Sequence, residues 1–300
     1  MASRRDREWF GSFPGFLVVP FSVKNTFFKS ARRVCFALGI LGSVAFGQAP
    51  SFSTRPLSQA VAEGQPVSVT ALASGAAPLS YEWRRNGQII AGATGASLTI
   101  NSASLTDRGW YRVQVSNSAG AATSVFAVEV GLASSTVVSW GDNAALPLDL
   151  GPILFARGSP SASHFLALRP AGTVAGWGAN WSGQATVPSG LSQVVGLGLS
   201  ESASVAIRAD GSMVAWGQYE SSGASVPLPS GLTGVVAATG GRQHMLALKA
   251  DGTVTAWGGN GYGQCSVPAT LRDVVAIAAG GIHSMALKAD GNIVVWGGVS

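Results

Sequence analysis

The chain has 300 residues, of which 47% are hydrophobic and only 11% charged, so it can bury a sizeable core and is not intrinsically disordered. Two cysteines exclude a disulfide-stapled scaffold, and 40 glycines with 14 prolines favour a turn-rich, all-β chain over a helical one. The net charge of +5 arises entirely within residues 1–49. The neutral remainder lacks the clustered lysines and arginines that nucleic-acid binding needs, so we expect no nucleic-acid partner.

A secretory signal peptide is predicted within residues 1–49. A basic stretch, Lys24–Arg33, precedes the uncharged apolar run Val34–Gly47, and small residues on either side of Gln48 offer a cleavage site. The apolar run is short for a membrane span, so we expect cleavage that leaves a mature start near Pro50 and no membrane attachment. The mature protein would then be secreted, periplasmic or on the cell surface.

Two alternatives stay open for this leader. The apolar run could anchor the protein uncleaved, and Arg32-Arg33 could direct it to the twin-arginine route. Because residues 1–22 stand awkwardly ahead of the signal, we also expect the natural chain to start near Val23, since a valine codon can serve as a bacterial start.

A β-sandwich is predicted over residues 50–131. Short apolar alternations separated by turn residues predict strands, and Asn86-Gly87 supplies a tight hairpin turn. These predicted strands cover residues 67–73, 79–85, 97–100, 109–117 and 124–130. About seven short strands in a unit of about 80 residues is typical of a sandwich. A short linker is expected at 132–135.

The sandwich sequence resembles an immunoglobulin-like domain of the intermediate set, in the style of bacterial exported proteins. The resemblance is carried by Trp83 in the third strand and by Asp107 and Tyr111 in the Asp-Arg-Gly-Trp-Tyr run. It implies that Trp83 fills the core, and that Asp107 and Tyr111 are structural residues of the corner before the sixth strand. It also places Ala71 and Val113 at the family's two cysteine positions, which implies apolar packing in place of the disulfide.

A repeated unit follows over residues 136–300. The dipeptide Trp-Gly recurs at intervals of 37 to 41 residues, and His or Ala stands thirteen residues before each of the last four tryptophans. The tryptophans are Trp140, Trp177, Trp216, Trp257 and Trp296, and the residues at the earlier address are His164, Ala203, His244 and His283. Valine pairs at 194–195, 235–236 and 274–275 begin a further strand in three repeats. Such short units bury their faces only by stacking, as the blades of a β-propeller do.

The third and fourth repeats resemble the regulator-of-chromosome-condensation repeat in its short bacterial form, in the strings VVAATGGRQHMLALKADGTVTAWGGNGYGQ and VVAIAAGGIHSMALKADGNIVVWG. The second repeat lacks the histidine and the glycine pair, and the first diverges over 142–163. The fold class is therefore all-β: an immunoglobulin-like sandwich followed by a partial, open propeller of about four blades. Because an open series leaves an apolar edge, we expect a fragment of a longer protein or, if the chain is complete, self-association through that edge.

The sequence predicts no catalytic, metal or cofactor site. His164, His244 and His283 share one address in different blades, so we interpret them as packing or hydrogen-bonding residues rather than converging zinc ligands. The Trp-Gly tryptophans are interpreted as core. The glycine-rich loop 259–263 has no helix after it, so it is not a phosphate loop. Cys265 is interpreted as a small packing residue, with a reactive or pairing thiol as the alternative.

The candidate binding residues lie in the variable loops, where tryptophan and tyrosine with polar neighbours are typical of binding hot spots. They are Asn180, Trp181, Tyr219, Glu220, Arg242, Gln243, Asn260 and Tyr262. Binding is favoured for Trp181 and packing for Tyr262.

We therefore expect an exported, non-enzymatic binding or adhesion protein whose propeller loops recognise a protein partner, with the sandwich as a spacer. The alternative is a glycan-binding surface protein. A propeller hydrolase or lyase is disfavoured, because no nucleophile beside a base and no paired carboxylates stand out.

Overall fold

The structure, a computed structural model, describes residues 47–132, 137, 146–147, 149–158, 163–218 and 227–298. Within them every regular element is a β-strand except one turn of 3-10 helix at Leu105–Asp107, which confirms the all-β prediction. None of these residues forms a helix long and apolar enough to cross a membrane. Residues 1–46, which hold the predicted signal peptide up to its cleavage site, lie outside the described residues, as do Trp140, Tyr219 and Glu220.

Nine strands build the sandwich. They are β1 Ser51–Thr54, β2 Gln59–Ala62, β3 Val67–Thr70, β4 Leu72–Ser74, β5 Ser80–Arg85, β6 Gln88–Ile89, β7 Ser97–Ile100, β8 Gly109–Asn117 and β9 Gly120–Gly131. One sheet has the order β2-β9-β8-β5-β6, and the other strands pair as β3-β7 and β1-β4. Asn86 and Gly87 take φ values of 48° and 84°, which a two-residue hairpin turn requires.

The sandwich core centres on three aromatic rings. Trp83 is completely buried, and its indole N–H donates to the carbonyl of Gly95 at 2.9 Å. The hydroxyl of Tyr111 in β8 donates to the carbonyl of Asp107 at 2.7 Å, which holds the turn that leads into β8. Phe126 lies between them, with ring centroids 6.1 Å from Trp83 and 5.2 Å from Tyr111.

Twelve strands form four blades, each an antiparallel three-stranded sheet. The first blade has β10 Phe155–Gly158, β11 His164–Leu168 and β12 Val174–Gly178; the second has β13 Val194–Leu199, β14 Ala203–Arg208 and β15 Met213–Gly217; the third has β16 Val235–Gly240, β17 His244–Lys249 and β18 Val254–Gly258; the fourth has β19 Val274–Ala279, β20 His283–Lys288 and β21 Ile293–Gly297. The four sheets form an open series and not a closed ring, as the sequence predicted.

The sandwich packs directly on the third blade. The hydroxyl of Ser58 donates to the carbonyl of Val236 at 2.8 Å, and the carbonyl of Ala250 accepts from the Val125 amide at 2.8 Å and the Ser124 hydroxyl at 2.9 Å. The sandwich core also belongs to one hydrophobic cluster with buried residues of the third and fourth blades. The sandwich therefore contacts the repeats directly, because an open series leaves apolar first strands that it covers.

The sandwich also forms an ion pair with the first blade. Glu129 of β9 accepts a hydrogen bond from Arg108 at 2.8 Å and another from Arg157 of β10 at 2.6 Å. The sandwich thus contacts the first blade as well as the third and fourth.

Candidate binding rim and blade interfaces

Two sets of loops lie on one rim of the blades. Each middle strand begins opposite the glycine that ends the last strand, as in the pairs His164–Gly178 and His244–Gly258. The turns before the middle strands and the loops after the last strands therefore meet at this end of the sheets. We call it the loop rim, and define it by turns 200–202, 241–243 and 280–282 and loops 179–186 and 259–266.

Two aromatic side chains stand out from the loop rim. Trp181 is 67% exposed and Tyr262 is 63% exposed, in the equivalent loops of the first and third blades. The interpretation of Tyr262 as a packing residue is therefore wrong, because the described residues leave most of its side chain open to solvent. Both rings are large apolar surfaces in contact with solvent.

The loops that carry these rings are held by the same hydrogen bonds. Asn180 accepts from the amide of Ala185 at 2.9 Å and donates to the Thr186 hydroxyl at 2.8 Å. Asn260 accepts from the amide of Cys265 at 2.8 Å and donates to the Ser266 hydroxyl at 3.1 Å. Asn180 and Asn260 were expected among the binding residues, but the structure uses their amides to hold the loops.

A glutamine in each loop also supports the exposed ring or its neighbour. The side-chain oxygen of Gln184 accepts from the Ser182 amide at 2.8 Å, and that of Gln264 accepts from the Tyr262 amide at 2.9 Å. Neither glutamine was predicted from the sequence to have a role. Their shared repeat address, six residues after the glycine of each Trp-Gly pair, was the available signal.

The turns of the loop rim are linked from blade to blade. The Glu201 amide donates to the carbonyl of Arg242 at 3.3 Å, and the Arg242 amide donates to the carbonyl of Gly281 at 3.1 Å. The Arg242 guanidinium also donates to the carboxylate of Glu201 at 3.1 Å. The carbonyl of Gln243 accepts from the Gly259 amide at 2.7 Å. Arg242 and Gln243 thus connect the rim and remain beside the exposed rings.

Two of the repeated histidines, His164 and His244, lie between blades and not on the rim surface. His164 of the first blade is fully buried, and its Nε2 is 2.8 Å from the hydroxyl of Ser204 in the second blade. That hydroxyl donates to the carbonyl of Gln184 at 2.8 Å, which also accepts from the Trp216 indole at 2.8 Å. We call this set of contacts the relay.

The same relay joins the third blade to the fourth. Nε2 of His244 is 3.0 Å from the hydroxyl of Ser284, which donates to the carbonyl of Gln264 at 2.8 Å. The Trp296 indole donates to that carbonyl at 2.9 Å. His, Ser, Gln and Trp therefore occupy the same addresses at the first and third interfaces.

The second interface, between the second and third blades, has no relay. Ala203 replaces the histidine and Met245 replaces the serine, and both are completely buried in one apolar cluster with Trp257. The Trp257 indole N–H has no hydrogen-bond partner among the described residues. In sequence, Gly223 takes the place of the glutamine, although it lies outside the described residues. The residues at the histidine and serine addresses therefore change together, whereas the acceptor of the other two relays is a main-chain carbonyl and not a glutamine side chain.

Burial sets the ionisation of the relay histidines and of the cysteine. It lowers the pKa of His164 to about 4, and it also lowers the pKa of His244, with a smaller contribution from the charge of His283. The Cys265 thiol donates to the carbonyl of Gly259 at 3.2 Å, and burial raises its pKa to about 11. In the described part of the chain, no three His, Cys, Asp or Glu side chains group as metal ligands.

Two family models match parts of the chain. Residues 49–117 match the immunoglobulin domain, and residues 235–264 match the regulator of chromosome condensation (RCC1) repeat. The chain carries an immunoglobulin-like domain followed by an RCC1 repeat. A search of curated proteins found no match.

Solved structures resemble the two regions separately. Prp20p from Saccharomyces cerevisiae matches at 24% identity and a TM-score of 0.42, over 50% of this chain and 45% of that one. A chimeric titin Z1Z2-Z1Z2 tandem matches at 29% identity and a TM-score of 0.27, over 29% of this chain and 51% of that one. In a mutant titin M10–obscurin-like 1 immunoglobulin complex, the match has 31% identity and a TM-score of 0.27, over 28% of this chain and 94% of that one. The chain thus spans about half the length of the first two structures.

Proposed function

We propose that this protein is an exported, non-enzymatic binding protein whose loop rim recognises a protein partner. The observation that carries the proposal is the pair of aromatic rings on the rim, Trp181 at 67% and Tyr262 at 63% exposure. Tryptophan and tyrosine dominate the binding energy of protein interfaces, where a partner covers them and excludes water. While they are exposed to solvent, the same rings bury little apolar surface and so add little to the stability of the fold.

The rigidity of the two loops supports the same proposal. Asn180 and Asn260 each fix their loop through two side-chain hydrogen bonds, and Gln184 and Gln264 each add a third. A loop that is already ordered loses less conformational freedom when a partner binds. The sandwich leaves this rim accessible, because Ser124 and Val125 bind Ala250 at the opposite end of the middle strand.

The chemistry of the side chains supports a non-enzymatic role. His164 and His244 are buried and bonded to serines of the next blade, so neither faces a substrate. The Cys265 thiol, with a pKa of about 11, stays protonated at neutral pH and is a poor nucleophile.

Export is the part of the proposal that rests on the leader sequence alone. Cell fractionation with intact-mass measurement tests it directly. We expect a processed protein that starts near Pro50, outside the cytoplasm. A full-length precursor retained in the cytoplasm would contradict export without affecting the binding proposal.

The binding test places a photo-crosslinking residue at Trp181 or Tyr262 in the full chain. We expect specific protein adducts from each position. A crosslinking residue at Arg242 should give adducts too, and these should disappear when Trp181→Ala and Tyr262→Ala are combined with it. Ile89→Ala is the matched control, because Ile89 is 58% exposed on the sandwich and lies away from the rim. Adducts that survive the double variant would overturn the rim as the binding surface.

A glycan partner is the second candidate, because the exposed face of the Trp181 ring also suits stacking on a sugar. A glycan array separates the two. Glycan binding that Trp181→Ala abolishes, together with no protein adducts, would favour the second candidate.

A further inference from the structure

One edge of the sandwich, along β7, carries main-chain groups that no described strand pairs. β7 bonds only β3, and in the same register the amide of Ala71 donates to the carbonyl of Ala96 at 2.8 Å. Hydrogen-bonded pairs alternate along an antiparallel ladder, so the main-chain groups of Ser97 and Thr99 point away from β3. These amides and carbonyls have no hydrogen-bond partner among the described residues.

β6 is a second open edge on the same side of the sandwich. The amide of Ile90 donates to the carbonyl of Trp83 at 2.8 Å, so by the same alternation the main-chain groups of Ile89 point away from β5. Residues 91–96, which connect β6 to β7 and are all described, form turns and no further strand. Both sheets of the sandwich are therefore open on this side.

The opposite edge of the β3-β7 sheet is bridged by a side chain. The side-chain amide of Gln59 in β2 donates to the carbonyl of Ser68 in β3 at 2.8 Å, and so connects the two sheets. Ser68 lies directly across the ladder from Thr99. At one position of the sheet, the outward carbonyl is therefore satisfied on the β3 edge and unsatisfied on the β7 edge.

An apolar groove lies between the two open edges. It has a volume of about 360 Å³ and is lined by Ile90, Leu98 and Ile100, together with the ion pair of Arg85 and Asp107. The two charges of that pair offset each other, and β6 and β7 contain no charged residue. Soluble proteins usually protect an open edge with a charge, a proline or a bulge, and β6 and β7 carry none of these.

We propose that this groove binds an extended, uncharged segment of a partner protein, which adds to β7 as an antiparallel strand with apolar side chains at alternate positions. Its main chain would exchange hydrogen bonds with the amides and carbonyls of Ser97 and Thr99. Residues directly opposite each other in an antiparallel pair have side chains on the same face. The residues opposite Ser97 and Thr99 therefore face solvent, and those between them enter the groove beside Leu98 and Ile100.

A second copy of this chain is a poorer occupant. Its β7 could satisfy the main-chain groups, but its Leu98 is only 7% exposed and lies in the core of its own sandwich. Such a copy would bring no free apolar side chain to the groove, which would stay unfilled beneath the paired strands. An extended segment without a core of its own has its alternate side chains available for the groove.

The binding test uses the full chain and a labelled peptide of alternating threonine and isoleucine, Lys-Thr-Ile-Thr-Ile-Thr-Lys. Its lysines keep it soluble and lie beyond the pairing residues. Fluorescence anisotropy measures the affinity. In the proposed pairing the isoleucines enter the groove, the threonine amides face β7, and the isoleucine amides face away from it.

Two N-methylated peptides of equal composition separate strand addition from apolar contact. N-methylation of the threonines removes the amides that face β7, and we expect it to weaken binding at least tenfold. N-methylation of the isoleucines leaves those amides intact, and we expect a change of less than threefold. Because both changes are made in the peptide, this comparison does not depend on the folding of a protein variant.

A matched pair of protein variants identifies the edge. Thr99→Pro removes an amide that β3 does not use, and should weaken peptide binding at least tenfold. Ser68→Pro makes the same change directly across the ladder, on the β3 edge, and should alter binding less than twofold. Urea denaturation verifies that both variants are folded. In the parent chain, the peptide should slow hydrogen exchange at the amides of Ser97 and Thr99 at least tenfold.

Four results would overturn the proposal. The peptide would not bind at millimolar concentration, the two N-methylated peptides would bind equally, or the two proline variants would weaken binding equally. The fourth is protection of the Ser97 and Thr99 amides in the chain without peptide. If that protection rises with concentration alongside a dimer in light scattering, the occupant is a second copy, and otherwise another segment of the same chain covers the edge. None of these results bears on the loop rim, whose crosslinking is measured separately.

Discussion

The second blade interface differs from the first and third in one coordinated way. At the first and third, the histidine Nε2, the serine hydroxyl, the tryptophan indole and the main-chain carbonyl of a glutamine form one set of hydrogen bonds, while Nδ1 of each histidine has no partner among the described residues. At the second, Ala203 and Met245 fill the same space with apolar atoms. Replacing only the histidine or only the serine would leave the other buried polar group without its partner, so the two positions change together. The repeats therefore form interfaces of two chemical kinds on one backbone.

The largest expected effect comes from mixing the two kinds of interface. Ser284→Met should lower the free energy of unfolding by about 4 kcal/mol, because the larger side chain overpacks a buried site and His244 loses its partner. Urea denaturation of the full chain measures the loss.

The matched control completes the change to the second kind of interface. His244→Ala/Ser284→Met reproduces the Ala203–Met245 pair, and should recover about 2 kcal/mol relative to the sum of the single changes. Additive effects of the two substitutions would mean that the residues do not act as a set.

The next effect is a dependence of stability on pH that only the histidine-containing interfaces produce. The pKa of His164 is about 4 in the folded protein and about 6.5 in the unfolded chain, so the unfolded chain binds the proton first as the pH falls. The free energy of unfolding should therefore decrease between pH 6.5 and pH 4, by about 3 kcal/mol for His164.

Denaturation curves at pH 7, 6 and 5 test this dependence above the range in which carboxylates titrate. The variant His164→Ala/Ser204→Met, which converts the first interface to the second kind, should show a flatter curve. An equal slope in the variant and the parent would assign the pH dependence to other groups.

A smaller effect separates two tryptophans of equal burial. Trp216 and Trp257 are 7% and 8% exposed, but only the Trp216 indole has a hydrogen-bond acceptor among the described residues. Trp216→Phe should cost about 1–2 kcal/mol more than Trp257→Phe, because both lose similar apolar volume but only the first loses a hydrogen bond. Thermal denaturation of the two variants provides the comparison, and equal losses would contradict the assigned relay.

The repeat pattern predicted the blades because strand periodicity and Trp-Gly spacing are local signals. The strand at 109–117 has the predicted bounds, and the valine pairs do begin β13, β16 and β19. The relay could be predicted in part from the sequence, because histidine, serine and glutamine recur at fixed positions of the repeat. The packing of the sandwich on the third blade could not be predicted from the sequence. Ser58 and Ser124 are ordinary polar residues there, and only the fold brings them to Val236 and Ala250. The exposure of Tyr262 likewise depends on whether a distant loop covers it.

The smallest expected effect concerns a covalent bond that neither region of the molecule uses. Ala71 and Val113 are completely buried at the two positions where the resembling domains carry a disulfide, so packing alone holds the sandwich sheets together there. Cys265 is the free cysteine of the described residues, and the equivalent position in the first blade is Ala185.

A reducing agent should therefore leave the melting temperature of the full chain unchanged, and Cys265→Ala should shift it by no more than about 1 °C, since an alanine already occupies that address. Calorimetry with and without the reductant measures both. A fall of several degrees on reduction in the parent that is absent in Cys265→Ala would show that this thiol forms a bond. The half-buried position of Cys265 and its contact with the Gly259 carbonyl argue against such a bond, because the thiol would have to leave its loop to reach a partner.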